Sequence, residues 1–145
     1  MELGINVGSN CFFESEESNF IWLPDQHYRK GSWGYINSGE SSQNTAQSTQ
    51  TEIKNTMDGP LFQTLRTNLS GYRFDLPNGV YEIELLFTDI FRESQSAVYL
   101  LSAGNTGSED DTNSFHIKIN DKLVEESFSP TRDSGYFYAV KKRFI

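Results

Sequence analysis

Residues 72–91, YRFDLPNGVYEIELLFTDIF, contain two strand-like stretches on either side of a turn signal. The first stretch, residues 72–76, alternates apolar and polar side chains, which is the two-residue period of a half-buried strand. Residues 77–79, PNG, combine a fixed φ with an Asn and with a Gly that can adopt positive φ, and so favour a chain reversal. The stretch therefore predicts a hairpin whose second arm, residues 80–91, runs into the interior and ends at Phe91.

The rest of the chain predicts further short strands separated by turns. Strands are indicated at 3–7, within 20–35, at 97–101, at 115–119 with a return arm at 123–124, and at 136–145. Residues 37–51 are rich in Ser, Gln, Thr and Asn and predict a long loop. No window has the apolar period of a helix. Short strands at turn-punctuated intervals predict an all-β fold, a sandwich or a jelly roll rather than a closed barrel.

Length and composition limit the classes of protein and partner. A chain of 145 residues is the size of one domain, and its single cysteine, Cys11, excludes an internal disulfide. The formal net charge is −8 and the sequence pI about 4.7, so the chain should repel phosphate backbones and anionic membrane surfaces. We expect neither nucleic acid nor membrane as a partner, since no apolar stretch has membrane length.

Several motifs resemble one family and keep its order along the chain. They are INVGS (5–9), the block WLPDQHYRKGSWGY (22–35), NTMDGPLFQTLR (55–66), the 72–91 stretch and FHIKINDKLVEESFSP (115–130). Together they resemble the malectin-like carbohydrate-binding modules, and more narrowly the module found toward the C-terminus of bacterial glycoside hydrolase family 2 enzymes, the β-galactosidases among them.

The resemblance implies a fold, a place in a larger protein and an activity. It implies a malectin-like, galactose-binding-like jelly roll over residues 1–145, as one domain of a multidomain extracytoplasmic bacterial enzyme. It also implies that loop aromatics at one end bind sugar and that the domain has no catalysis of its own. The sugar-contacting positions that match are Tyr35, Phe62, Phe91 and Arg92.

The chemistry of sugars adds candidates independently of the family. A pyranose presents C–H groups on one face, which lie well on flat aromatic rings, and hydroxyls at its rim, which need polar partners. Trp33 joins the candidate rings, and Asp89, Gln63 and Arg66 join Arg92 as possible rim groups. We predict that Tyr35, Phe62 and Phe91 converge at one end of the sandwich. A carbohydrate-binding module and a structural module that packs on its parent enzyme without binding sugar both stay open.

Catalysis and metal binding have weaker signals. Glu82 and Glu84 share a strand face about 7 Å apart, but a glycosidase pair flanks its sugar from opposite sides, so we predict no catalytic residue. The acidic loop 105–113 carries oxygen ligands that suit Ca²⁺, yet it lacks the spacing of a known calcium loop. We expect no cofactor, with calcium at this loop as the alternative.

The resemblance also concerns the two ends of the chain. Malectin-like folds have strands beyond the position that aligns with Ile145, so the fold could lack its final strands. We then expect an open edge at residues 136–145 or 3–7, through which the chain could self-associate.

Overall fold

The computed structural model describes residues 2–36, 45–67, 69–90 and 114–145, and all elements below lie within these ranges. They comprise strands β1 (Ile5–Asn6), β2 (Phe13–Glu14), β3 (Ile21–Pro24), β4 (Trp33–Ile36), β5 (Thr45–Ser48), β6 (Thr64–Thr67), β7 (Gly71–Phe74), β8 (Ile83–Phe87), β9 (Phe115–Ile119), β10 (Lys122–Phe128) and β11 (Val140–Phe144), with short helices α1 (Gly59–Phe62) and α2 (Pro130–Ser134). The all-β prediction is confirmed.

The strands pair into one three-stranded sheet and four two-stranded sheets. The three-stranded sheet has the order β1-β3-β2, with β1 parallel and β2 antiparallel to the central β3. The two-stranded sheets are the antiparallel pairs β4–β7, β5–β6, β8–β11 and β9–β10. Most pairs join distant parts of the chain, so the fold depends on non-local contacts.

The predicted hairpin over residues 72–91 is wrong. Strand β7 pairs with β4, and β8 pairs with β11. The segment between β7 and β8 bends at residues 78–79 without pairing them, and the Tyr81 hydroxyl donates to the Pro77 carbonyl at 2.6 Å within it. The chain does bend at the predicted turn, but the two strands on either side of it pair with other strands and not with each other.

The predicted hairpin after residue 115 is confirmed. Strands β9 and β10 are joined at Asn120 and Asp121, whose φ values of 51° and 64° are both in the left-handed region. Two consecutive positive φ values are characteristic of a type I′ turn, which suits the twist of a two-residue hairpin. Rings at the far end of the hairpin, Phe115 and Phe128, contact Phe87 of β8 at centroid distances of 5.4 and 5.0 Å.

The predicted loop at 37–51 is wrong over part of its length. Residues 45–48 form β5 and pair with β6, and the hydroxyls of Thr45 and Thr67 lie 2.9 Å apart across the pair. Residues 37–44, the predicted strand 97–101 and the loop 105–113 lie outside the described residues.

The core is centred on Phe62 and Ile53, each 3% exposed, with Leu61 and Ala139 beside them. Helix α1 supplies two of these side chains, and Pro60 in its first turn is suited to that position because its missing N–H would have no helical partner there. Partly buried rings pack on this cluster from β2 and β3.

Strand β4 is paired on both edges, and Gly34 allows this. The Tyr28 amide donates to the Tyr35 carbonyl and the Tyr35 amide donates to the Gln26 carbonyl, both at 3.0 Å. A Cβ at Gly34 would lie 2.2 Å from the Tyr28 nitrogen. Only glycine fits this approach of the 26–28 segment to β4.

We predict that Gly34→Ala lowers the free energy of unfolding by about 1–3 kcal/mol, because backbone atoms must move to admit the methyl group. Gly59→Ala is the matched control, since a Cβ there meets nothing within 4 Å. Urea denaturation of both variants is the measurement. Equal midpoints for the two variants would contradict the role of Gly34.

Candidate functional site

Four aromatic side chains occupy one face of the β4–β7 pair. The register sets Trp33 opposite Phe74 and Tyr35 opposite Tyr72, at alternate positions of each strand, so all four side chains lie on the same side. The rings of Tyr35 and Tyr72 are 6.4 Å apart, and those of Tyr72 and Phe74 are 6.3 Å apart and nearly parallel. The exposed His27 adds a fifth ring, 4.2 Å from that of Tyr35. We call Trp33, Tyr35, Tyr72 and Phe74 the aromatic face.

The carboxylate of Asp25 holds the polar border of the aromatic face in place. Its Oδ2 accepts hydrogen bonds from the Gly8 amide at 2.9 Å and from Arg66 Nε at 2.8 Å. Its Oδ1 accepts from the Tyr72 hydroxyl at 2.8 Å and from the Gln26 amide at 3.0 Å. The side chain of Asp25 is only 1% exposed, so these donors replace the water that a buried carboxylate loses.

Arg66 joins this carboxylate to the aromatic face. Its guanidinium carbon lies 3.9 Å from the centre of the Tyr35 ring, a cation–π distance. Burial lowers the pKa of Arg66, but the hydrogen bond and the charge of Asp25 outweigh burial, so the net shift of the pKa is upward. The guanidinium therefore stays charged beside the ring and fixes the ring's position.

The aromatic face combines accessible ring surface with polar edges. Phe74 is 42% exposed and the other three rings are half-buried. Gln26 Nε2 donates to the Trp33 carbonyl at 2.7 Å, which anchors an amide beside the rings. Rings of this kind can stack on the C–H face of a small molecule while the border groups bond its hydroxyls.

The candidate residues predicted from the sequence lie in different parts of the fold. Tyr35 and Trp33 lie on the aromatic face. Phe62 does not: it is sealed in the core at 3% exposure, because the one-turn helix before β6 turns it inward, and it offers no ring to a ligand. Asp89 is 4% exposed and its carbonyl accepts from the Phe137 amide at 2.9 Å, so it is not a surface rim group.

The predicted convergence of Tyr35, Phe62 and Phe91 is not what the described part of the chain shows, since Phe62 belongs to the core. Phe91 and Arg92 lie outside the described residues. Tyr72 and Phe74, which complete the aromatic face, were not among the sequence candidates. Their alternation within residues 72–76 was visible, but only the pairing of β7 with β4 places them beside Tyr35.

The carboxylates that suggested a glycosidase pair are held by one cation. Arg143 of β11 lies with Nε 2.9 Å from Glu82, just before β8, and with Nη2 2.9 Å from Glu84 of β8. Two carboxylates that share one exposed cation suit surface charge and do not suit a pair that flanks a sugar.

The described ranges contain neither a metal-binding cluster nor a membrane-spanning helix. No group of three or more His, Cys, Asp and Glu side chains there could hold a metal ion. No helix there is long and apolar enough to cross a bilayer. The loop 105–113, where calcium was the alternative, is not among those residues.

Comparisons with known proteins identify relatives of the whole chain. The family model described as "Malectin domain" matches residues 1–145. A crystal structure of Bacteroides uniformis β-glucuronidase superimposes with a TM-score of 0.81 at 52% identity, covering 99% of this chain and 14% of that chain. B. uniformis β-glucuronidase 2 covalently bound to cyclophellitol-6-carboxylate aziridine matches at the same identity and coverage with a TM-score of 0.80.

A probable leucine-rich-repeat receptor-like serine/threonine-protein kinase of Arabidopsis thaliana is 29% identical over 135 residues, which are 88% of this chain and 12% of that protein. The chain therefore spans a small part of each of these relatives. The solved structures are β-glucuronidases, whereas the sequence motifs had suggested the β-galactosidases as the enzyme type.

We predict that Asp25→Asn lowers the free energy of unfolding by about 3–5 kcal/mol, because it leaves Arg66 charged and without its buried partner. Glu125→Gln is the control. Glu125 forms a 3.6 Å ion pair with Lys142, and both side chains are about one third exposed. This substitution should change the free energy of unfolding by no more than about 1 kcal/mol. Urea denaturation measures both. A loss for Asp25→Asn as small as that for the control would contradict the importance of this carboxylate.

The phenol of Tyr72 should make stability fall at alkaline pH. Burial, then the charge and the hydrogen bond of Asp25, raise the pKa of Tyr72 far above its ordinary value. The folded protein keeps this proton above about pH 10, where the unfolded chain loses it, so the free energy of unfolding falls as pH rises from there. The Tyr72→Phe variant lacks this phenol and should not show this part of the fall. The difference between the free energies of unfolding of wild type and variant, measured by urea denaturation, should therefore narrow between pH 9 and 11. A constant difference would contradict the shift.

Proposed function

Because the chain belongs to the malectin domain family, we propose that it is a non-catalytic carbohydrate-binding module that keeps an attached glycoside hydrolase close to polysaccharide or oligosaccharide. The aromatic face is the observation that carries this proposal. Four rings on one side of two paired strands form a platform on which a pyranose could stack, and an exposed ring, Phe74, lies at its end.

The border of the platform supports the same function. Weak sugar sites need donors and acceptors for hydroxyl groups around a stacking surface. Gln26, His27 and the Tyr72 hydroxyl lie next to the rings. Asp25 fixes the Gln26 backbone and the Tyr72 hydroxyl by hydrogen bonds. Since the ion pair of Asp25 with Arg66 is buried, this part of the border is held rigid before any ligand arrives, which lowers the ordering cost of binding.

The attached enzyme is inferred from the relatives. The β-glucuronidase chains that contain a domain like this one are several times longer than it, so we place the present chain in a glycoside hydrolase of that general type. Tethering raises the effective concentration of substrate around the enzyme without any new catalytic contact. We further propose that the protein is located in the periplasm, at the cell surface or outside the cell, where such an enzyme would meet extracellular polysaccharide.

A structural accessory role is the second candidate, and one observation favours it. Arg66 and His27 both lie within 4.2 Å of the Tyr35 ring centre, so a ligand that stacks on this ring must displace His27 or use the neighbouring rings. In this second role the domain packs on its parent enzyme and binds no sugar.

Titration calorimetry with a panel of oligosaccharides tests the proposal. A shallow platform without a deep pocket should bind with a Kd of roughly 10 μM to 1 mM, which corresponds to about −4 to −7 kcal/mol. Phe74→Ala and Tyr35→Ala should each weaken binding roughly tenfold, a loss of about 1.4 kcal/mol. Circular dichroism should confirm that both variants fold.

Phe12→Ala is the matched control for these variants. Phe12 is an exposed ring just before β2, away from the β4–β7 pair, and is 67% accessible. Its removal should leave sugar affinity unchanged. If the folded wild-type domain binds no member of a broad panel at millimolar concentration, the structural accessory role is favoured instead. If a sugar binds and neither ring variant weakens it, the site lies elsewhere on the domain.

A further inference from the structure

The three-stranded sheet β1-β3-β2 carries apolar side chains on both faces. Alternation along the central strand β3 directs Trp22 to one face, together with its cross-strand partner Phe13. Both rings pack against the core cluster. The inner face is therefore covered by the domain's own core.

The outer face consists of the side chains that point away from that core. On β3 these are Ile21 and Leu23, and the register sets Ile5 of β1 opposite Leu23. Leu3 and Phe12 lie just outside the strands: continuing the β2–β3 register by one pair sets Phe12 beside Leu23, and continuing the β1–β3 register by two pairs sets Leu3 beside Ile21. We call Leu3, Ile5, Phe12, Ile21 and Leu23 the outer apolar face.

This outer apolar face is open to solvent. Phe12 is 67% exposed, Ile21 54% and Leu3 37%. A sheet with one face on the core is expected to carry polar side chains on the other. Contiguous exposed apolar side chains with a polar border instead mark surfaces that another protein covers.

The charge around the outer apolar face selects the partner. Glu14 lies on the same face as Ile21, its cross-strand neighbour, and Glu2, Glu16 and Glu17 are exposed at the ends of the same strands. The sequence from residue 2 to residue 28 contains no Lys or Arg. If two copies docked through this face, the carboxylates of one copy would lie close to those of the other, and their repulsion would lower the affinity.

We propose that the outer apolar face docks on another domain of the same polypeptide, one that presents an apolar patch bordered by Lys or Arg. The proposal rests on the inference that this chain is part of a larger glycoside hydrolase, since it spans 14% of the β-glucuronidase chains that it resembles. It does not rest on sugar binding. An intramolecular partner needs no high intrinsic affinity, because the covalent link supplies a high effective concentration.

Hydroxyl-radical footprinting of the full-length protein, purified from its source cells, tests the docking surface. Oxidation of Phe12 and Ile21 should be at least fivefold slower in the full-length protein than in the 145-residue chain at the same molar concentration. Val80 is the internal control, because it is 88% exposed in a connector, and its oxidation rate should be the same in both samples.

Three results would overturn the proposal. The first is equal oxidation of Phe12 in the two samples, and the second is a natural product of only 145 residues. The third is protection of Phe12 in the 145-residue chain itself that grows with concentration, which would identify a second copy as the occupant.

A pair of substitutions gives an independent readout. The double variant Phe12→Ser with Ile21→Ser should lower the melting temperature of this domain in the full-length protein by several degrees and leave that of the 145-residue chain nearly unchanged. Val80→Ser is the matched control and should change neither. Equal effects of the double variant in both proteins would show that these side chains stabilise only the domain itself, and would overturn the proposal.

Sugar titrations separate this proposal from the function proposed above. The double variant should bind oligosaccharide like the wild-type chain, because its substitutions are not on the aromatic face. Protection of Phe12 in a protein that binds no sugar would support docking and reject the carbohydrate-binding function. Sugar binding without protection of Phe12 would support the carbohydrate-binding function and reject docking.

Discussion

The hydrogen-bonded carboxylate of Asp25 is the interaction on which the arrangement of the described strands depends. Its four donors come from the turn after β1, from the segment that follows β3, from β6 and from β7. Each donor on its own contributes little net stability, but a buried carboxylate left with fewer partners would cost several kcal/mol. The carboxylate therefore makes these segments interdependent: none can shift without leaving a charge unsatisfied.

This interdependence explains why the aromatic face can be both rigid and partly open. A platform of rings that depended only on apolar packing would tend to collapse and bury itself. Here Arg66 is fixed by Asp25 and lies against the Tyr35 ring, and the Tyr72 hydroxyl is fixed by the same carboxylate. Tyr72 is held by its hydroxyl and Tyr35 by the guanidinium over one side of its ring, so these two rings are ordered without being fully buried.

The parts of the fold that could be predicted from sequence are those that local chemistry decides. The β9–β10 hairpin was predicted because Asn120 and Asp121 can adopt positive φ and the arms are adjacent in sequence. The same kind of signal failed at residues 77–79. There β7 and β8 pair with β4 and β11, dozens of residues away, and nothing within the 72–91 stretch encodes those partners.

The site was predicted in part for the same reason. Tyr35 and Trp33 were found because their strand carries the motif, but Tyr72 and Phe74 join them only through strand pairing. Phe62 was misjudged because it was chosen by its match to a sugar-contacting position of the family, and such a match does not show whether the side chain is buried. The one-turn helix α1 instead brings the ring into the core, a tertiary outcome that no local pattern shows.

Strand β3 connects the two surfaces to which we assign partners. Ile21 and Leu23 lie on the outer apolar face, Trp22 packs toward the core between them, and Asp25 follows the strand directly. Docking of the outer face would restrain the strand whose end positions the carboxylate behind the aromatic platform. A tether increases the effective concentration of substrate only if its geometry lets both sites be engaged at once. A module attached to its enzyme through β3 would present the aromatic face in one fixed direction, which a module on a flexible linker would not.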